Sequence, residues 1–242
     1  MSDSILPTDF DGLDRLISGC TLCTLSEKRT TTVPGNGSWT ADVMFIGEGP
    51  GYYEDQQGLP FVGRAGKLLN EMLESIGMKR EDVFVTNMIK CRPPNNRDPL
   101  PIEINSCRPY LDRQIEMVAP KIIVTLGRYS TGKFIPDVPI SKLRGKPSPW
   151  NGITVYPMYH PAAALRNSNL RAALERDFQR LPELLEAESP TAPVQAAPQQ
   201  PQVQQLGFMD APLAAAEPQT VEPPIAETQE DSPKEPKQLG LF

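Results

Sequence analysis

Short runs rich in β-branched and aromatic residues alternate in this chain with longer apolar stripes of helical spacing. No other feature restricts the fold as much. Asp42 to Ile46 (DVMFI), Val83 to Thr86 (VFVT), Lys121 to Leu126 (KIIVTL) and Ile153 to Met158 (ITVYPM) read as buried strands. Leu68, Leu69, Met72, Leu73 and Ile76 form one helical stripe, which Gly77 ends; Ile104, Cys107, Leu111, Ile115 and Val118 form another before Pro120. A last helix is expected from Leu170 to about Glu186, with Pro182 as its point of interruption. Strand, helix, strand, helix, strand calls for right-handed crossovers, and so for an α/β fold whose mostly parallel sheet is covered on both faces.

In such a sheet the carboxyl ends of the strands face one crevice, where ligands bind. The first strand is followed by Gly47-Glu48-Gly49-Pro50-Gly51, the second by Asn87, the third by Gly127, and the fourth by Tyr159-His160-Pro161. A carboxylate, an amide and the chain's only histidine are therefore expected to converge. Singly, each has a bland reading: a lone histidine is often structural, and an asparagine often satisfies a turn. The Gly-rich segment lacks the Walker lysine and the GxGxxG spacing, and Glu48 would repel a phosphate. Their joint placement is what favours a site.

The four cysteines are spaced like metal ligands, Cys20 and Cys23 as a CxxC pair and Cys91 and Cys107 each followed by Arg-Pro. Four thiolates can close a tetrahedral shell around zinc or hold an iron-sulfur cluster, and either would staple the N-terminal segment to the body. The alternatives are two disulfides or four unrelated buried thiols. No apolar leader core follows Met1 and no long apolar run occurs, so the chain reads as cytoplasmic, without a membrane span, where structural disulfides are rare.

Composition changes after about Ala187. Ten prolines, many Ala and Gln, and only Phe208 and Phe242 as aromatics fill the rest of the chain, which cannot bury enough apolar surface to offset its ordering entropy. Its acidic residues face only Lys234 and Lys237, so most of the formal net charge of −6 belongs to it. The body is close to neutral, which neither excludes nor demands nucleic acid. Lys142, Arg144 and Lys146, with Arg166 and Arg171, supply material for a local basic face. The expected organisation is a folded domain over 1–186, a disordered acidic linker over 187–236 and a short terminal peptide over 237–242.

Over roughly residues 13 to 185 the chain resembles the family 4 uracil-DNA glycosylases. The resemblance lies in the CxxC pair, GEGPGYYEDQQGLPFVGRAGKLL at Gly47 to Leu69, TNMIKCRPP at Thr86 to Pro94, SCRPYL at Ser106 to Leu111 and HPAAALR at His160 to Arg166. It implies a three-layer α/β/α fold with a central four-stranded parallel sheet, and a structural 4Fe-4S cluster on Cys20, Cys23, Cys91 and Cys107. It also implies a monomeric enzyme that flips uracil out of single- or double-stranded DNA and hydrolyses its N-glycosidic bond.

The resemblance assigns roles as well. Phe61 is the stacking platform, Gly47 and Gly49 belong to the uracil site, and Glu54 blocks the C5 face against thymine. Asn87 offers one acceptor and two donors on a planar amide, which suits the N3–H and O4 edge of uracil and not the reversed pattern of cytosine. His160 donates toward O2, where negative charge develops. Glu48 orients water or stabilises the oxocarbenium-like sugar. Glu48, Asn87 and His160 form the catalytic set, and Leu165 or Arg166 is the wedge that fills the gap left by the extruded base.

The final residues, Gln238-Leu239-Gly240-Leu241-Phe242, resemble the QL(S/D)LF peptide by which bacterial proteins bind the sliding clamp, Gln238, Leu239, Leu241 and Phe242 being the contacts. On a flexible tether such a peptide raises the local concentration of the body near DNA. A rival reading from another class is a non-catalytic, metal-stapled module that binds nucleic acid or nucleotides through the same crevice.

Overall fold

Chain order already contains the sheet's crossovers. The computed structural model describes residues 6–187. There, α1 (Phe10–Ser18) and a two-residue strand β1 (Asn36–Gly37) precede β2 (Val43–Gly47), and α2 (Tyr52–Gln57) and α3 (Arg64–Ser75) lead to β3 (Phe84–Asn87). Next, α4 (Pro101–Val118) leads to β4 (Ile122–Leu126). Then α5 (Arg128–Phe134), α6 (Ile140–Leu143) and β5 (Ser148–Trp150) lead to β6 (Ile153–Met158), followed by α7 (Pro161–Ala164), α8 (Ser168–Gln179) and α9 (Leu181–Ala187). The linker assigned beyond Ala187 and the peptide at 237–242 lie outside the described residues.

The sheet order is β1-β3-β2-β4-β6-β5. The four strands read from the sequence form its parallel centre, β3, β2, β4 and β6. The expectation of a four-stranded sheet is corrected to six, because β1 pairs antiparallel with β3 and β5 antiparallel with β6, one at each edge. The last helix is also divided, at Arg180 and not at Pro182. As the second residue of α9, Pro182 occupies a turn in which its missing N–H leaves no bond unmade.

Every residue of β2, β3 and β4 is buried. Their side chains alternate between two cores. Val43, Phe45, Val85, Ile122 and Val124 pack with Leu69, Met72 and Leu73 of α3 and Leu174 and Phe178 of α8. Met44, Ile46, Phe84 and Ile123 pack on the other face with Leu111 and Ile115 of α4 and Phe134 of α5. Helices thus cover both faces, and every central strand is apolar on both sides, as a parallel sheet requires. Among the described residues no helix is long and apolar enough to cross a membrane.

The chain leaves β2 for β3 on one side and later crosses back to β4 on the other. Successive connections therefore diverge between β2 and β4, the switch point at which a crevice opens beyond the strand ends.

Candidate active site and cysteine chamber

The crevice is a cleft of about 390 Å³, within the size range of small-ligand pockets. Its lining includes Glu48, Gly49, Glu54, Phe61, Asn87, His160 and Arg166. All but one of the residues assigned from the sequence to catalysis and uracil binding line it. The exception, Gly47, lies next to Asn87 and Phe61 and is not part of the lining.

Gly47 ends β2 and is the register partner of Asn87 at the end of β3. A Cβ on Gly47 would stand 2.4 Å from Asn87 Oδ1 and 2.7 Å from Phe61 Cζ. Glycine is thus what allows the amide and the ring edge to meet over the strand end. Asn87 is 1% exposed, and its Oδ1 has no hydrogen-bond partner among the described residues. Buried acceptors are nearly always paired, and leaving one unpaired costs about 1–3 kcal/mol. An N–H donor is what would complete it.

Phe61 holds a left-handed backbone conformation, φ 55°, unusual for a bulky residue. Three contacts secure it. Glu54 Oε1 accepts from Val62 N at 3.0 Å and Gly63 N at 2.9 Å, and Arg80 Nη2 donates to Pro60 O at 2.9 Å. Gly66 presses against the Phe61 carbonyl so closely that a Cβ there would lie 1.7 Å from it. Glu54 therefore lines the cleft and also braces the loop that carries the ring.

His160 caps α7, and its Nδ1 accepts from Ala162 N at 3.1 Å. That bond leaves the ring proton on Nε2, as a donor. Burial pushes the His160 pKa down to about 4, so the imidazole is neutral at physiological pH. Its ring lies near-parallel to Phe61, centroids 5.7 Å apart.

Glu48 reaches across the switch point to the start of α5, where its Oε1 accepts from Tyr129 N at 3.2 Å. Gly127, at φ +98°, leaves room for it, since a Cβ there would meet Glu48 Oε1 at 2.5 Å. Burial raises the Glu48 pKa, opposed by the Tyr129 N–H and by Arg128.

The other predicted residues separate. Arg166 is exposed and lines the cleft, whereas Leu165 packs against the core that contains Phe61 and is not part of the lining. Of the basic residues considered, Arg144 is paired with Asp177 and Arg171 with Glu71 and Glu175, which reduces the charge free for a ligand. Sequence reasoning missed one wall, the segment Pro93 to Pro99. Arg97 forks onto Glu103 at 2.5 and 3.0 Å, and Asp98 pairs with Arg128. No periodicity marks such a loop. Arg97 lying six residues before a glutamate was the available signal.

Four residues beyond Asn87 lies Cys91. Cys20, Cys23, Cys91 and Cys107 line one small chamber with Ile17, Leu22 and Tyr110, and none is in a disulfide. Arg29 Nη1 donates to Cys91 Sγ at 3.2 Å, and the Lys90 backbone N–H points at the Cys107 sulfur. Burial raises the Cys91 pKa and pushes Cys107 up to about 11, so these sulfurs hold protons unless a cationic centre displaces them. Among the described residues, no group of three Cys, His, Asp or Glu side chains is set to hold a single metal ion. Four cysteines facing a shared chamber, with the Arg29 guanidinium and the Lys90 backbone N–H directed at their sulfurs, do fit a larger thiolate-bound centre. Lys90 lies between chamber and cleft. It is 1% exposed, and its Nζ donates to Thr86 Oγ1 at 2.6 Å, Gln114 Oε1 at 2.6 Å and the Asn87 carbonyl at 2.8 Å.

Residues 34–181 match the uracil DNA glycosylase superfamily. The chain is 51% identical over 187 residues to a type-4 uracil-DNA glycosylase of Sulfurisphaera tokodaii, covering 72% of this chain and 85% of that protein. It is 50% identical to one from Saccharolobus solfataricus, covering 72% and 87%, and 46% identical to one from Archaeoglobus fulgidus, covering 75% and 96%.

Proposed function

The chain belongs to the type-4 uracil-DNA glycosylases of the uracil DNA glycosylase superfamily, and we infer from this that it hydrolyses the bond joining uracil to deoxyribose, leaving an abasic site for base excision repair. The observation that carries the reading is the unpartnered Asn87 acceptor, which meets the edge of the Phe61 ring over Gly47. Uracil presents an N–H to such an acceptor; cytosine presents a lone pair at the same place and leaves both atoms unpaired.

Extrusion of the base costs a few kcal/mol, which stacking on Phe61, worth roughly 1–3 kcal/mol, offsets in part. Glu54 stands on the thymine-excluding side. As the glycosidic bond breaks, negative charge collects on uracil O2, and the neutral His160 donates to it from Nε2. A neutral donor is favoured here because its hydrogen bond strengthens as the charge develops, without a cation having to be buried first. Glu48, fixed by Tyr129 N–H, faces the sugar as a carboxylate that stabilises the oxocarbenium-like centre or orients water. Arg166 is the better-supported wedge, being exposed at the cleft while Leu165 packs inward.

The chamber suits a structural 4Fe-4S cluster on Cys20, Cys23, Cys91 and Cys107. When bound, the cluster crosslinks the N-terminal segment to β3 and α4 and takes no part in the reaction. Purified protein is then brown, with stoichiometric iron and sulfide; a colourless, folded protein holding one zinc overturns this. The protein acts as a monomer in the cytoplasm, associated with the nucleoid through DNA and the sliding clamp. Residues Gln238, Leu239, Leu241 and Phe242 supply the clamp contact, and removing Gln238 to Phe242 is expected to abolish clamp binding and spare excision on short oligonucleotides.

The primary test is release of uracil from a single-stranded oligonucleotide. Absence of an abasic product from cluster-loaded protein would favour the non-catalytic binding module.

A further inference from the structure

At the rim of the cleft, α2 turns two adjacent tyrosines toward water. Tyr52 is 52% exposed and Tyr53 is 58% exposed, a large uncovered aromatic area for residues that ordinarily find cover. Their rings meet edge to face with centroids 5.4 Å apart. In sequence they lie between Gly51 and Glu54, both part of the cleft lining, so the pair continues the cleft outward.

A cation accompanies them. The Arg92 guanidinium lies over the Tyr52 ring, 5.2 Å from its centroid, and its Nε donates to Asn96 Oδ1 at 2.7 Å. Asn96 lines the cleft. Arg92 has no carboxylate partner among the described residues, in contrast to Arg97 and Arg128, which are paired with Glu103 and Asp98. An unpaired guanidinium spread over a solvent-facing ring adds little to folding, since an exposed cation–π contact is worth only about 0.5–1 kcal/mol.

Aromatic faces interleaved with unpaired cations are how proteins bind single-stranded nucleic acid, bases stacking on rings and phosphates meeting charge. The bases flanking a uracil within a duplex are held by pairing and by stacking on their outer neighbours. The face that each exposes when the uracil leaves is turned into the gap that the wedge fills, so they have no face free to turn onto a ring. In a single strand they do. We propose that Tyr52, Tyr53 and Arg92 form a stacking platform for the nucleotide next to the uracil on the same strand, which gives this chain a preference for uracil in single-stranded DNA. This rests on the uracil-excising reading and extends it to the substrate's flank.

The test pairs protein and substrate changes. Excision is measured by kcat/KM on a single strand, on the same strand with each neighbour of the uracil in turn replaced by a base-less residue, and on the matched duplex. Replacing Tyr52 and Tyr53 together by Ala is expected to cost about tenfold on the intact single strand, in line with base–aromatic stacking, and much less on the duplex. Removing the stacked neighbour costs the parent a similar factor and the double variant nothing further. Tyr52→Phe with Tyr53→Phe retains the parent's behaviour, because the rings and not the hydroxyls do the stacking. Arg92→Ala lowers single-strand kcat/KM and flattens its salt dependence.

Equal losses on every substrate, or fully additive effects of the tyrosine and neighbour removals, overturn the proposal. Binding of a uracil-free single strand, followed by fluorescence anisotropy, separates it from the reading beneath it. If the parent releases no uracil yet the double variant binds this strand about tenfold more weakly, the platform stands and the excision reading falls. If both proteins bind it equally, the platform falls.

Discussion

The cleft and the cysteine chamber are joined by the short stretch from Asn87 to Cys91, yet they are held in shape by different means. In the cleft, His160, Glu48 and the loop that carries Phe61 are fixed by bonds within the protein, and Asn87 is held by burial. His160 is fixed by Ala162 N–H, Glu48 by Tyr129 N–H, and the Phe61 loop by Glu54 and Arg80. The chamber has fewer such ties: four protonatable sulfurs around a small space, with Arg29, the Lys90 N–H and the Tyr110 hydroxyl directed at them. One region is organised by its own bonds, and the other, on the proposed cluster, is organised by its guest. Substitutions in the cleft should therefore cost activity, and substitutions in the chamber should cost the fold.

The largest effect is expected in the chamber. Cys107→Ser should lower stability by more than about 4 kcal/mol, the range reached when a metal site is lost, with iron content falling in parallel. Denaturant unfolding with iron analysis measures this, and an unchanged midpoint would erase the contrast. Next is His160→Ala, which removes the donor to developing charge and should lower kcat about 10²–10³-fold, with a stability loss of only about 1–2 kcal/mol for the α7 cap that it also supplies.

Asn87→Ala should cost roughly 10- to 100-fold in kcat/KM on uracil, the equivalent of about 1–3 kcal/mol. Because its Oδ1 is buried without a partner, the same substitution should leave thermal stability unchanged or raise it. A clear loss of stability would mean that the amide is structural.

The smallest effect appears only in acid. His160 has a pKa of about 4 in the folded protein against an ordinary 6.5, so the folded state resists its protonation. Its contribution to stability is complete above pH 6.5 and is lost as pH falls from 6.5 toward 4. As the chain's only histidine it gives a single imidazole NMR signal. That signal should titrate near 4 and show the Nε2–H tautomer. Titration near 6.5 would break the assignment of a neutral donor.

These contrasts explain what could be read from the sequence. The four central strands were legible because burial on both faces demands uninterrupted β-branched and aromatic runs. The edge strands were not. β1 has two residues and β5 three, too few to show alternation, and Pro149 in the middle of β5 is tolerated only because β5 lies at an edge. In the site, the residues directly after strands were legible because topology brings strand ends together. Tyr129, Asp98 and the Tyr52–Tyr53 pair were not, since their places depend on loop paths and helix starts that no periodicity encodes. The cysteines showed their spacing but not their surroundings. Nothing in CxxC indicates that Lys90 would lie buried between the sulfurs and Asn87.

The left-handed turn at Phe61 has one more consequence. Holding a bulky residue in that conformation costs about 1–3 kcal/mol, and the fold absorbs the cost once, when Glu54, Arg80 and Gly66 close around the loop. The backbone that carries the aromatic ring has then already surrendered its torsional freedom. On the proposed stacking role, a base that arrives over Phe61 meets a loop with little entropy left to lose, so more of the stacking energy remains available to hold the base outside the helix.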